Sequence, residues 1–237
     1  MNFDFRSWVD YFKNNKGNLH SIEWSEGYQL SSHEYHTIYQ SLQQFQVGER
    51  SEGKFLIKST KRYLSKMKDH SYLQAIILFI HEEQRHAKEL ARFMEKQQIP
   101  TIRKHWVDQV FRKLRRFASL EQSITVLLTA ELIATVYYDA LKRSTKSKVL
   151  RGICEQILDD EAKHVEFQSV ALHQMSNNRK KVTKGIVKAI RMSLFLGTLI
   201  IVWFQHHKVF RAGGYGVVKY FKYALLEYRR AEKIINQ

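Results

Sequence analysis

Glu83-Gln-Arg-His86 and Glu161-Ala-Lys-His164 share one spacing, a carboxylate followed three residues later by an imidazole. Residues i and i+3 lie on one face of an α-helix, so each pair aims both side chains the same way. Chance placement of 16 Glu and 11 His along 237 residues gives about 0.7 such pairs, so neither is informative alone. Their setting is. Glu52 lies 31 residues before Glu83, and Glu131 lies 30 before Glu161, so the two halves repeat at offsets of 79 and 78. The pattern is a lone Glu on one helix and Glu-x-x-His on the next, stated twice.

Each acid interrupts an apolar stripe. The helical neighbours of Glu83 are Ile76, Phe79, Ile80, Ala87, Leu90, Phe93 and Met94. Those of Glu161 are Cys154, Ile157, Leu158, Val165, Ala171 and Leu172, with Gln168 the polar exception; those of Glu131 are Ile124, Leu127, Leu128, Ala134, Tyr138 and Leu141. Such stripes face a core. Glu82 shares its side with Arg85 and Glu89 and reads as solvated.

A buried carboxylate is costly unless it is paired or binds metal. Four converging on one core repel, and some stay protonated. Two divalent cations would neutralise four carboxylates, and two neutral imidazoles would complete the donor set. The competing reading is a bundle whose acids flare toward solvent and whose histidines are ordinary core residues. It does not account for four acids on apolar stripes.

The doubled pattern resembles the ferritin-like superfamily, which includes rubrerythrins, the small subunit of ribonucleotide reductase and the di-iron oxygenases. Phe45–Gly53, which contains Gly-Glu-Arg-Ser-Glu-Gly, and the early Trp8…Tyr11-Phe12 are similar to a group of small bacterial ferritin-like proteins. The resemblance covers roughly residues 5–175. It implies that Glu83 and Glu161 bridge two metals, that Glu52 and Glu131 are terminal carboxylates, and that His86 and His164 ligate one metal each. The implied cofactor is two iron ions, with Fe/Mn or Mn/Mn as the other pairings, since mixed oxygen and nitrogen donors suit these metals. Glu49 lies three residues before Glu52 and offers a second acid to the same face. Spacing favours Glu52, which leaves Glu49 as an alternate donor, an outer hydrogen-bonding group or the partner of an arginine.

One proline, ten glycines and no alternating periodicity predict an all-α chain. The expected fold is a ferritin-like four-helix bundle over 31–177, with an amino-terminal helix and loop over 1–30 and a basic helical extension over 178–237. A lone Cys154 leaves no internal disulfide, and Met1–Asn14 lacks a signal-peptide apolar core, so the expected location is cytoplasmic, with peripheral membrane attachment the other option. Net charge is +16. Residues 101–117 carry six Lys/Arg against one acid, and 178–237 carry thirteen against two. Such patches suit an acidic carrier protein or a membrane surface, with nucleic acid a weaker fit.

Taken in order, Phe5, Trp8, Val9 and Phe12 form an amphipathic helix that should close one side of the bundle. Ser31-Ser-His-Glu34 has the form of a capping box, opening a helix expected to run to about Met67, with Gly48 and Gly53 marking close contact or a kink. Further helices are expected over 72–98, 118–143 and 147–176. A crossover at 101–117 should be partly helical through Trp106, Val110 and Leu114. A fifth helix at about 180–207 holds 13 uncharged residues, Met192–Phe204, too few to span a bilayer, which needs about 20. Part of 192–204 should therefore pack on the bundle or a second subunit. A last helix is expected over 217–235. His105, His206 and His207 read as surface histidines, and Tyr138 as core or as a donor behind the site.

Three classes of function follow: an oxygen-activating oxidoreductase, a ferroxidase or peroxide-removing protein, and a helical adaptor. The first is favoured, with dioxygen, an organic substrate and an external electron donor as partners and a homodimer among the assemblies the sequence leaves open. Iron-storage ferritins usually lack the second histidine, and rubrerythrins usually add a four-cysteine module that one cysteine cannot supply.

Overall fold

The computed structural model describes residues 4–50, 53–65, 70–106, 109–110, 113, 119–177 and 179–237. Among these, regular structure is helical throughout: α1 Phe5–Asn15, α2 Ser32–Glu49, α3 Lys54–Leu64, α4 Ser71–Lys96, α5 Leu120–Arg143, α6 Lys148–Ser176, α7 Lys181–Ala212 and α8 Val217–Ile235.

Local chemistry fixes the ends. Ser31 and Glu34 form the expected capping box at the start of α2, and Ser119 and Gln122 form a second at the start of α5. Helix α4 stops with Gln98 in a left-handed conformation (φ 55°), while Ile99 N–H donates to Met94 O at 2.8 Å, a Schellman closure just before Pro100. The single helix expected over 31–67 is instead two. Helix α2 ends at Glu49, and Gly53 adopts φ +63° at the cap of α3, where any β-carbon would collide with the Ile80 side chain on α4. Glycine serves both needs, left-handed backbone and close approach.

Helices α2, α4, α5 and α6 form the bundle. The four residues 144–147 join α5 to α6, which pack as an antiparallel pair, the most extensive contact among the described helices. Helix α1 lies along α4, burying Trp8, Val9 and Phe12, as its spacing requires. Helix α7 packs on α5 and α2, and α8 on α6 and α5. One core therefore runs from Trp8 to Ile235. Where the chain turns from α7 to α8, Gly213 sits against the backbone of Ala140 so closely that a β-carbon has no room.

The 192–204 run divides by face. Phe195, Leu199, Val202 and Trp203 are buried, whereas Leu196, Ile200, Ile201 and Phe204 are exposed. In the crossover, Trp106 and Val110 are exposed, and Leu114 lies outside the described residues. His206, expected at the surface, is buried, because the face of α7 that carries Phe195 and Val202 carries it too.

Candidate metal centre

Six donors from four helices meet at mid-bundle. Helix α2 supplies Glu49, α4 supplies Glu83 and His86, α5 supplies Glu131, and α6 supplies Glu161 and His164. Two overlapping clusters result, Glu49, Glu83, His86 and Glu161, and Glu83, Glu131, Glu161 and His164, each with donor atoms within 4.8 Å of one another. Glu83 and Glu161 belong to both, so each could be shared between two ions. His164 Nδ1 lies 3.1 Å from Glu83 Oε1, 3.8 Å from Glu161 Oε2 and 4.0 Å from Glu131 Oε2. His86 Nδ1 lies 3.7 Å from Glu83 Oε1 and 3.9 Å from Glu49 Oε2. Metal–donor bonds of about 2.0–2.2 Å place neighbouring donors roughly 3–4 Å apart, so these spacings suit a central ion.

Hydrogen bonding leaves the same atoms free. Glu83 Oε1, both carboxylate oxygens of Glu161, and Nδ1 of His86 and of His164 are buried without a hydrogen-bond partner. Buried polar atoms are almost always satisfied, so five such atoms gathered at one spot suit a bound ion there. The residues present fit two metal ions.

Behind the donors stands a second set of acids. His86 Nε2 lies 2.9 Å from Asp160 Oδ2, and His164 Nε2 lies 2.9 Å from Glu82 Oε2. The two interactions are exchanged between helices. Asp160 precedes Glu161 on α6 but serves the histidine of α4, and Glu82 precedes Glu83 on α4 but serves the histidine of α6. An ionised carboxylate only accepts, so Nε2 carries a hydrogen, which would leave Nδ1 to face a bound ion. Asn15, the last residue of α1, donates from its amide to both outer acids, at 2.7 Å to Glu82 Oε1 and 2.7 Å to Asp160 Oδ1. Gln156 and Arg85 also donate to Asp160. Glu82 is thus buried, not solvated: α1 covers the side of α4 on which it sits. Tyr138 donates to Glu49 Oε1 at 2.6 Å and Gln168 to Glu131 Oε1 at 2.8 Å, so the terminal acids are oriented as well.

Without metal, protons occupy the centre. Burial, with the negative charges of Glu131 and Glu49, pushes Glu83 up to about 8. Burial and the neighbouring Glu131 raise Glu161 well above the usual carboxylate range. Burial alone would lower His86, but its bond to Asp160 and the adjacent Glu49 and Glu83 carry it up to about 10. His164 is likewise held well above its ordinary value, burial being outweighed by Glu161, Glu82 and Glu83. Asp160 runs the other way: burial would raise it, yet the hydrogen bond and charge of His86 and the Arg85 guanidinium hold it near 2. Four positive charges brought by two ions would replace these protons.

Of the residues expected from sequence, Glu83, His86, Glu131, Glu161 and His164 converge. Glu52 lies outside the described residues, and Glu49, ranked second to it by spacing, sits among the donors. Asp160, Glu82 and Asn15 were not foreseen. A signal existed for two of them: each Glu-x-x-His is preceded by another acid, Glu82 and Asp160.

A cavity of about 290 Å³ borders the centre, with Glu49, Glu83 and Glu131 on its wall. The remaining lining is mostly apolar, including Phe45, Leu56, Phe79, Ile80, Leu127 and Val202, with His206, Gln205 and His105 among the polar lining groups. Nδ1 of His206 is 2.7 Å from Ser41 Oγ, which in turn donates to the Tyr137 hydroxyl.

No family model matches the chain, and no curated protein does. Solved structures do. A valine-to-isoleucine variant of an R2-like ligand-binding oxidase with aerobically reconstituted Mn/Fe cofactor aligns with a TM-score of 0.68 and 14% identity, over 98% of this chain and 94% of its own. A tyrosine-to-phenylalanine variant of an R2-like ligand-binding oxidase aligns over the same shares at 14% identity, with TM-scores of 0.67 reconstituted aerobically and 0.65 anaerobically. The chain has the ferritin-like fold of these oxidases along almost its whole length, the 178–237 segment included.

Proposed function

We propose that this protein is a di-metal oxidase that uses dioxygen to oxidise an apolar organic molecule held beside the metals. The observation that carries the reading is the contact between an apolar cavity and the donor acids themselves. Glu49, Glu83, His86, Glu131, Glu161 and His164 would hold two ions, Fe/Fe or Mn/Fe, the second pairing being that of the similar solved oxidases. When bound, such a pair supplies electrons for the reduction of dioxygen. The chain does the rest. Glu82 and Asp160 keep both imidazoles oriented, Tyr138 and Gln168 steady the terminal acids, and apolar walls exclude water and position the organic molecule. Tyr138 also keeps a proton one hydrogen bond from the site, on a hydroxyl that burial and Glu49 hold in its neutral form. An iron-passage role would call for polar lining where Phe79, Ile80 and Leu127 stand.

The test is reconstitution with Fe(II), or with Mn(II) and Fe(II), followed by oxygen-electrode measurement and mass spectrometry of apolar extracts. Dioxygen uptake beyond that needed to oxidise the metals, linked to an oxidised organic product, supports the reading. Uptake that stops at metal oxidation with every organic extract would leave a ferroxidase.

A further inference from the structure

Helix α7 is apolar on two sides. Its inner side, with Phe195, Leu199, Trp203 and Phe210, is buried against the bundle. Its outer side carries Val182, Ile186, Ile190, Ile200 and Phe204 at helical spacing, with Ser193 and Gly197 between them. Ile190 is 62% exposed, Ile200 49% and Phe204 72%. From Ile186 to Phe204 the strip is about 27 Å long at 1.5 Å per residue. Exposed apolar side chains repeated along one helix face suit a binding face.

Charge selects what covers it. The chain has no Asp or Glu from 167 to 226, while Lys181 and Lys184 stand before the strip and Lys208 and Arg211 after it. A second copy laid on this face would oppose lysine-rich ends to lysine-rich ends whether the two helices ran parallel or antiparallel. Anionic lipid headgroups satisfy both basic ends at once, and the acyl boundary accepts the strip between them. Crossing a membrane is a poorer fit, although α7 is apolar enough, because the inner face would have to leave α5 and α2 and expose Phe195, Leu199 and Phe210.

We infer that the outer face of α7 is a membrane-surface docking face for anionic lipid, on which the helix lies in the plane of the interface. The inference stands independently of the chemistry at the metal centre.

Co-sedimentation of the full chain with vesicles tests it. Binding to equal phosphatidylcholine and phosphatidylglycerol is expected at low salt, with little binding to phosphatidylcholine alone, and it should weaken at high salt. Ile200→Glu with Phe204→Glu should lower binding by about tenfold or more, as should Lys208→Glu with Arg211→Glu. Ile200, Phe204, Lys208 and Arg211 are all exposed on α7, so thermal melts of both variants should match wild type. Several results would overturn the inference: no binding to anionic vesicles, binding unchanged in either variant, or release only by detergent. A solution dimer dissolved by Ile200→Glu with Phe204→Glu would assign the face to a second copy instead, and retention by an acidic protein without vesicle binding would assign it to that partner.

Discussion

Asp160, on α6, accepts the Nε2 hydrogen of His86, on α4, at 2.9 Å. Glu82 and His164 repeat the relationship in reverse at the same distance. Each donor helix thus orients the histidine of the other, and α1 ties the two outer acids together through Asn15. The metal site and the packing of α1 on α4 are one structure.

Asp160→Asn should weaken metal binding by about 10- to 100-fold, the usual cost of losing an outer carboxylate behind a ligating histidine. Glu82→Gln should do the same for the other ion. Competition titrations with a metal indicator read the affinities, and far-ultraviolet circular dichroism should show helix content unchanged. An unaltered affinity in both variants would remove the orienting role.

Glu49→Gln should lower metal occupancy, since Glu49 Oε2 is placed with the donors. Tyr138→Phe should leave two ions bound but loosen the terminal acid it steadies, changing the absorption or resonance spectrum of the loaded protein. Equal, normal occupancy and spectra in both variants would exclude Glu49 from the site.

Metal uptake should release protons. Burial and neighbouring acids hold Glu83, Glu161, His86 and His164 above their ordinary values, so binding divalent ions at pH 7 should displace protons from the centre. The sign follows: these raised values make protons competitors of metal, so apparent affinity falls as pH drops below about 10, where His86 takes up its proton, and further below about 8. Calorimetric titration in buffers of different ionisation enthalpy counts the protons. Release of none would contradict the charge exchange.

Gly53→Ala should destabilise the fold by roughly 1–2 kcal/mol from the left-handed backbone alone, before any displacement of Ile80. Because Ile80 lines the cavity, ligand retention should suffer more than metal content. A thermal midpoint equal to wild type would show that the turn between α2 and α3 tolerates a side chain.

Much of this was legible in the chain. Glu83, His86, Glu131, Glu161 and His164 interrupt apolar stripes, and nothing but a shared core makes such interruptions tolerable. The choice between Glu49 and Glu52 was less secure for a physical reason. Counting residues measures rotation about an axis only while the helix lasts, and α2 ends at Glu49. Glu82 looked solvated because its own helix offers it only Arg85 and Glu89; its burial comes from α1, a contact 67 residues away in sequence. His206 was misplaced similarly, since α7 is apolar nearly all round and its pattern does not say which side meets the bundle.

The central claim is a two-metal centre built from both halves of the repeat, and metal counting tests it most directly. Protein loaded anaerobically with excess Fe(II) and Mn(II), then desalted, should hold two ions per chain by inductively coupled plasma mass spectrometry. Glu83→Ala with Glu161→Ala, which removes both shared acids, should hold close to none. Two ions retained in that double variant, or none in the wild type, would contradict the account.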